Sequence, residues 1–396
     1  MAQTVPFGIS APRAEQARSV ARATAIPWFV WSGVVSVSSI SFGLYWDISW
    51  HMTIGRDTFW TPAHLLVQFG GILAAITCCY LIFSTTLSRD PAVQSASVKV
   101  WGFRGPLGAF LTAWGGVTMV TSAPFDNWWH NSFGLDVEIL SPPHVVLGIG
   151  ILAVGIGYLV MVVAEKNRAS GALRDKLTWI FLYLAGLGLL LHVILLSEYI
   201  DPNMMHSAFF YRVTTLGIPA LILAYAGGSG HKWGATIVAA IYMLLKLTGL
   251  WVLPLFAAQP KLGPVYTNVT HMVPLNFPLL LIFPAIALDL IRNRFAGRNK
   301  WLLALAAGSA FLATLFAVQW VFGDFMISAL ARNAFFGMNY FPYQEPPSMY
   351  QLAYQFQKLE PTRPAFFAGM GIAWVSAMIS SRAGIAFGDW LLRIRR

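Results

Sequence analysis

Apolar runs of about 17 to 22 residues, separated by short polar links, recur along the chain at roughly 27–46, 64–84, 107–122, 144–164, 177–197, 212–228, 234–255, 272–291, 301–322 and 365–381. A helix rises about 1.5 Å per residue, so each run is long enough to cross ~30 Å of hydrocarbon. The pattern predicts an all-α, polytopic integral membrane protein of about ten transmembrane helices, with room for a broken helix where Gly and Pro interrupt a run. It divides the chain into a tail (1–26), two similar helical hairpins (27–165), further spans (166–322), a long loop rich in Tyr, Phe and Pro (323–364), and a last span with a basic end (365–396).

Composition agrees: 57% of the 396 residues are hydrophobic and 11% charged, outside the range of soluble domains. The net charge of +10 would suggest nucleic acid in a soluble protein, but its distribution points elsewhere. The N-terminal tail and every second connection hold 19 of the 26 Lys and Arg; the opposite connections hold six, and Lys246 lies within a span. The positive-inside rule then puts both termini in the cytoplasm, with a bacterial inner membrane as the expected location. The basic flank of the first run lacks a small-residue cleavage site, so this run is read as a retained helix. The expected partners are the lipid bilayer, other membrane subunits or a periplasmic electron donor, and no nucleic acid. The two cysteines, Cys78 and Cys79, are neighbours in an apolar run and exclude a CxxC-type metal cluster.

The outer side carries the chemistry. Seven of the eight histidines and ten of the sixteen acids fall there. DISWHMTIGRDTFWTPAH from Asp47 and DNWWHNSFGLDVEILSPPH from Asp126 form an internal repeat about 79 residues apart, with one inserted residue in the second copy. Asp47 and His51, like Asp126 and His130, are i and i+4 and share a helix face. Gly55 and Gly134 permit a turn with positive φ. Thr61-Pro62 and Ser141-Pro142 read as an N-cap followed by proline at the first helical position. His64 and His144 then fall in the first turn, where the helix dipole favours the neutral imidazole that binds metal.

The expected metal ligands are therefore Asp47, His51, His64, Asp126, His130 and His144, with Asp57 and Asp136 orienting them or joining them. His192, Asp201, His206 and His271 are weaker candidates for extra ligands. Two imidazoles with a carboxylate suit copper, iron, zinc or manganese. Whether the copies make two sites or one dinuclear site is open at this stage, and Asp–His pairs that only shape the turns are the competing structural reading. Trp46, Trp50, Trp60, Trp128 and Trp129 read as interfacial belt residues.

The spacing Asp47-x3-His51-x12-His64 resembles the metal motif of the C subunit of copper-containing membrane monooxygenases, the methane and ammonia oxidiser family. Asp126, His130 and His144 match it with one extra residue. The likeness covers roughly 18 residues, or twice that with the duplicate, and the doubling and larger span count depart from that family. It implies copper ahead of iron or zinc and an oxidoreductase, monooxygenase-like, acting on a small or lipophilic substrate. A metal-ion or proton-coupled transporter that loads at the Asp/His pairs is the main alternative, with Lys246 and Asp289 as pathway groups. A non-catalytic assembly subunit is the third. Lys246 is expected to face a cavity, pair with an acid of another helix, or snorkel, and the 323–364 loop is expected to act as a lid over the outer cluster.

Overall fold

A computed structural model of the chain describes residues 25–55, 60–134, 141–261, 269–344 and 350–396. Ten helices carry the architecture: α1 Trp28–Thr53, α2 Pro62–Leu87, α3 Leu107–Phe133, α4 Pro142–Arg168, α5 Gly171–Leu195, α6 Ala208–Ser229, α7 Gly234–Val252, α8 Ile282–Arg294, α9 Lys300–Ile327 and α10 Arg363–Leu391. Among the described residues, eight are long and apolar enough to cross a membrane, which makes this a multi-pass, all-α membrane protein. The two others differ for identifiable reasons. α3 is as long as its neighbours, at 27 residues, but carries Pro124 and ends in the polar run from Asp126. The run at 272–291 becomes helical only at Ile282, because Pro274 and Pro278 supply no N–H and clash with a preceding turn.

Small residues set the packing. A Cβ on Gly115 of α3 would stand 2.7 Å from the Gly150 carbonyl oxygen of α4, and one on Gly116 would stand 2.7 Å from the Gly71 carbonyl oxygen of α2. The backbones within the second hairpin, and between the two hairpins, therefore touch directly, the usual device where no hydrophobic drive pulls helices together in lipid. α5 is the most enclosed of these spans.

The stretch 272–281 is buried without being helical: Val273, Leu275, Leu279 and Leu281 are all 3% exposed or less. Such backbone survives at membrane depth only if its polar groups find partners in the protein. The Val273 N–H donates to Thr53 Oγ1 (2.7 Å) and its carbonyl accepts from Ser49 Oγ (2.6 Å). Leu279 N–H donates to Tyr242 Oη at 3.1 Å and Leu280 N–H to Gln319 Oε1 at 3.2 Å. Met272 N–H reaches the Phe256 carbonyl at 3.1 Å. Side chains of α1, α7 and α9 thus replace the missing helical ladder.

The basic connections gather at the ends opposite the Asp/His motifs, where cations cap helix C-termini. Lys166 of α4 donates to the Gly228 and Ser229 carbonyls of α6. Arg292 donates to the carbonyls of Ala226, His231 and Lys232, and Asn167 to those of Leu391 and Ile394. Asp289, fully buried, accepts from the N–H groups of Ala235 and Thr236 at the start of α7 and lies 3.4 Å from Arg292. It is a helix cap locked by an arginine, not a group lining a path.

Candidate metal centre

The repeat folds locally as its residues dictate. Gly55 and Gly134 end α1 and α3 with φ of 96° and 88°, a region costly for a residue with a Cβ. Pro62 and Pro142 open α2 and α4, and Thr61 and Ser141 sit at the N-cap positions, although neither hydroxyl accepts from the first turn. Each hairpin thereby brings the last turn of one helix beside the first turn of the next.

In the first hairpin Asp47 Oδ1 lies 3.2 Å from His64 Nε2, and Asp47 Oδ2 lies 3.9 Å from His51 Nε2. One ligating atom from each of Asp47, His51 and His64 falls within 4.8 Å of the others. In the second hairpin Asp126 Oδ2 lies 3.4 Å from His130 Nε2 and Asp126 Oδ1 lies 3.5 Å from His144 Nε2. Ligands each about 2.1 Å from one metal lie about 3 to 4.2 Å apart, so the Asp–His separations of the first hairpin, where all three ligating atoms meet, fit a shared ion. Each aspartate bridges the two histidines of its own hairpin, but in the second hairpin the three ligating atoms do not all come within 4.8 Å of one another.

Two carboxylate oxygens are free to hold a metal: Asp47 Oδ1 and Asp126 Oδ1 are buried and accept no hydrogen bond among the described residues. The Trp50 and Trp129 indole N–H groups, each just before a motif histidine, are likewise buried without an acceptor, but as donors they cannot ligate a cation. The same unsatisfied atoms recur at equivalent positions of both copies. His130 Nδ1 lies 3.2 Å from the Gly134 carbonyl. A carbonyl only accepts, so Nδ1 carries the proton there, and Nε2 is the ring nitrogen on the Asp126 side. Aspartate and neutral imidazole form a hard-to-borderline donor set suited to Cu(II), Zn or Fe(II).

The remaining candidates lie elsewhere. Asp57 and Asp136 fall outside the described residues. His192 packs in α5 against Gly217 of α6, where a Cβ would stand 2.6 Å from Nε2. Asp201 accepts from Asn276 Nδ2 at 2.8 Å, and its charge acts on buried Lys246 through space without a direct ion pair between the two. His206 is stacked between Trp320 and Phe356, with Nε2 3.0 Å from the Trp320 carbonyl and 3.5 Å from Asp324 Oδ1. His271 Nδ1 lies 2.8 Å from Thr270 Oγ1. The described part of the long loop rests on this side of the molecule: Phe356 covers His206, Gln357 bonds Asn203, and Glu360 accepts from the Phe209 N–H.

Residue spacing alone did not single out Asn276 beside Asp201, Asp324 beside His206, or the Gly134 carbonyl behind His130. The first two pairs are 75 and 118 residues apart and have no local signal, whereas the i, i+4 relation of His130 to Gly134 was available in the helix-ending pattern. No family model, curated protein or solved structure matches this chain.

Proposed function

We propose that the protein is a membrane metalloprotein with two outward-facing Asp-His-His centres, binding copper ahead of iron or zinc, and that it acts as an oxidoreductase on a small or lipophilic substrate. The observation that carries this reading is the meeting of Asp47, His51 and His64 within 4.8 Å, from two helices, at the mouth of a hairpin. The copper preference and the oxidoreductase class rest on the resemblance of the motif to the monooxygenase C subunit. A bound metal would supply redox or Lewis-acid chemistry. The chain's part is to hold the ion: Asp47 and Asp126 neutralise charge, and the Gly134 carbonyl fixes the tautomer of His130. The basic side then faces the cytoplasm of a bacterial cell and the centres face the periplasm, where an electron donor would dock.

The test is metal analysis of protein purified from copper- and iron-replete cells, with electron paramagnetic resonance to identify the ion. We expect about two equivalents in the native chain, about one in His51→Ala or in His130→Ala, and none in the double variant. Native protein without stoichiometric metal, or a double variant that keeps it, sinks the proposal.

A transporter is the second reading, and one observation favours it: a charged side chain, Lys246, is buried within a span of a protein that also buries a non-helical stretch at 272–281, features common where solutes or ions cross. Metal-dependent flux into proteoliposomes, lost in Lys246→Met, would select it over an enzyme.

A further inference from the structure

At the basic end of the molecule, α8 and α9 are joined by a tight turn containing Gly297 at φ 78°. Its cations are used unequally. Arg292 is committed to Asp289 and three carbonyls, and Lys300 lies 3.1 Å from Asp389. Arg294 and Arg298 are exposed, and among the described residues neither guanidinium has an ion pair or a hydrogen bond. Together with Phe295 and Leu302 they line a pocket of about 310 Å3. Toward the bilayer from these arginines, Leu290 on α8 and Leu302 and Leu305 on α9 are 54%, 46% and 37% exposed. Leu290 is four residues before Arg294 and so on the same helix face.

We infer that this pocket is a binding site for an anionic phospholipid of the leaflet on the basic side. Arg294 and Arg298 would clasp the phosphate, and an acyl chain would run along Leu302 and Leu305. Two forked guanidiniums match the planar acceptor geometry of phosphate, and no acid competes for them because Asp289 and Asp389 are already engaged. The apolar floor directly beneath the charges is what separates a lipid site from a site for soluble phosphate. A basic pocket at the membrane boundary beside a spanning helix, here α9, is a usual setting for such a headgroup. The inference does not depend on the metal centres.

Native mass spectrometry of the full chain, released from micelles carrying phosphatidylglycerol or phosphatidylcholine with identical acyl chains, tests it. The native protein should retain phosphatidylglycerol preferentially. Each arginine near a charged headgroup should contribute about fivefold in affinity, so Arg294→Gln or Arg298→Gln should weaken retention by about that factor and the double variant by about 25-fold. Arg89→Gln, an exposed arginine on the same side, serves as control and should retain the lipid as the native chain does. Leu302→Gln should weaken the phospholipid but not added glycerol phosphate. Equal retention of both lipids, a double variant that keeps phosphatidylglycerol, an equal loss in Arg89→Gln, or inorganic phosphate that displaces the lipid at comparable concentration would overturn the proposal. If the double variant fails to fold, Arg298→Gln alone, which changes a turn residue, decides between these outcomes.

Discussion

Two side chains show how much a single residue here depends on its partner. Lys246 is 4% exposed within α7, and Asp201, held by Asn276, is the acid whose charge acts on it. A buried ammonium is costly unless an opposite charge offsets it. We expect Lys246→Met to lower the unfolding midpoint in detergent markedly, and Lys246→Met combined with Asp201→Asn to recover much of the loss. Additive losses would show that the two do not interact. Gly134 makes a different point. At φ 88°, Gly134→Ala should cost about 1 to 2 kcal/mol of local strain and shift the carbonyl that orients His130. Metal titration should then show affinity at the second centre falling by about tenfold or more, with the first centre unaffected. Both motif glycines were legible from the sequence, because positive φ at a helix end is a local demand. The acid that acts on Lys246 was not, since Asp201 lies 45 residues away and only the fold brings its charge to bear.

Among the helices, α1 and α3 are copies with different surroundings. α1 turns Asp47 and His51 toward its hairpin partner and uses Tyr45, Ser49 and Thr53, spaced four apart on another face, to hold the rest of the protein. Tyr45 Oη donates to the Lys246 carbonyl at 3.3 Å, while Ser49 and Thr53 bind both backbone groups of Val273. The equivalent positions in α3 are Pro124, Trp128 and Ser132, all exposed. Ser49→Ala and Thr53→Val should each leave a buried backbone group of Val273 unsatisfied and destabilise the protein by about 1 to 3 kcal/mol. Trp128→Phe and Ser132→Ala should fall within about 0.5 kcal/mol of the native protein. Equal effects in both hairpins would refute this division of labour. The duplication itself was plain in the sequence. Its divergence was not, because Ser49 and Thr53 acquire their role only from a segment more than 200 residues later.

At the scale of the molecule, the basic residues and the Asp/His motifs occupy opposite ends. The cations that cap helix ends and the pocket of Arg294 and Arg298 lie at one end, and the two Asp-His-His clusters at the other. The hairpins pack through Gly71, Gly115, Gly116 and Gly150, with backbone close enough that a Cβ at Gly115 would stand 2.7 Å from a carbonyl. Gly115→Leu should therefore splay α3 from α4 and reduce bound metal from about two equivalents to about one. Retention of both would show that each centre is held by its turn alone. The sequence by itself determined the membrane class, the sidedness of the basic residues and the repeated Asp-His-His pattern, because hydropathy, charge placement and i, i+4 spacing are local properties of a chain. Tertiary structure decided what local spacing cannot express. Each aspartate bridges the histidines of its own hairpin, the first part of an apolar run with Pro274 and Pro278 is buried without being helical, and Asp289 and Arg292 are used up in capping α7 and α6. All of these depend on contacts between segments far apart in sequence, and packing alone determines which of those contacts form.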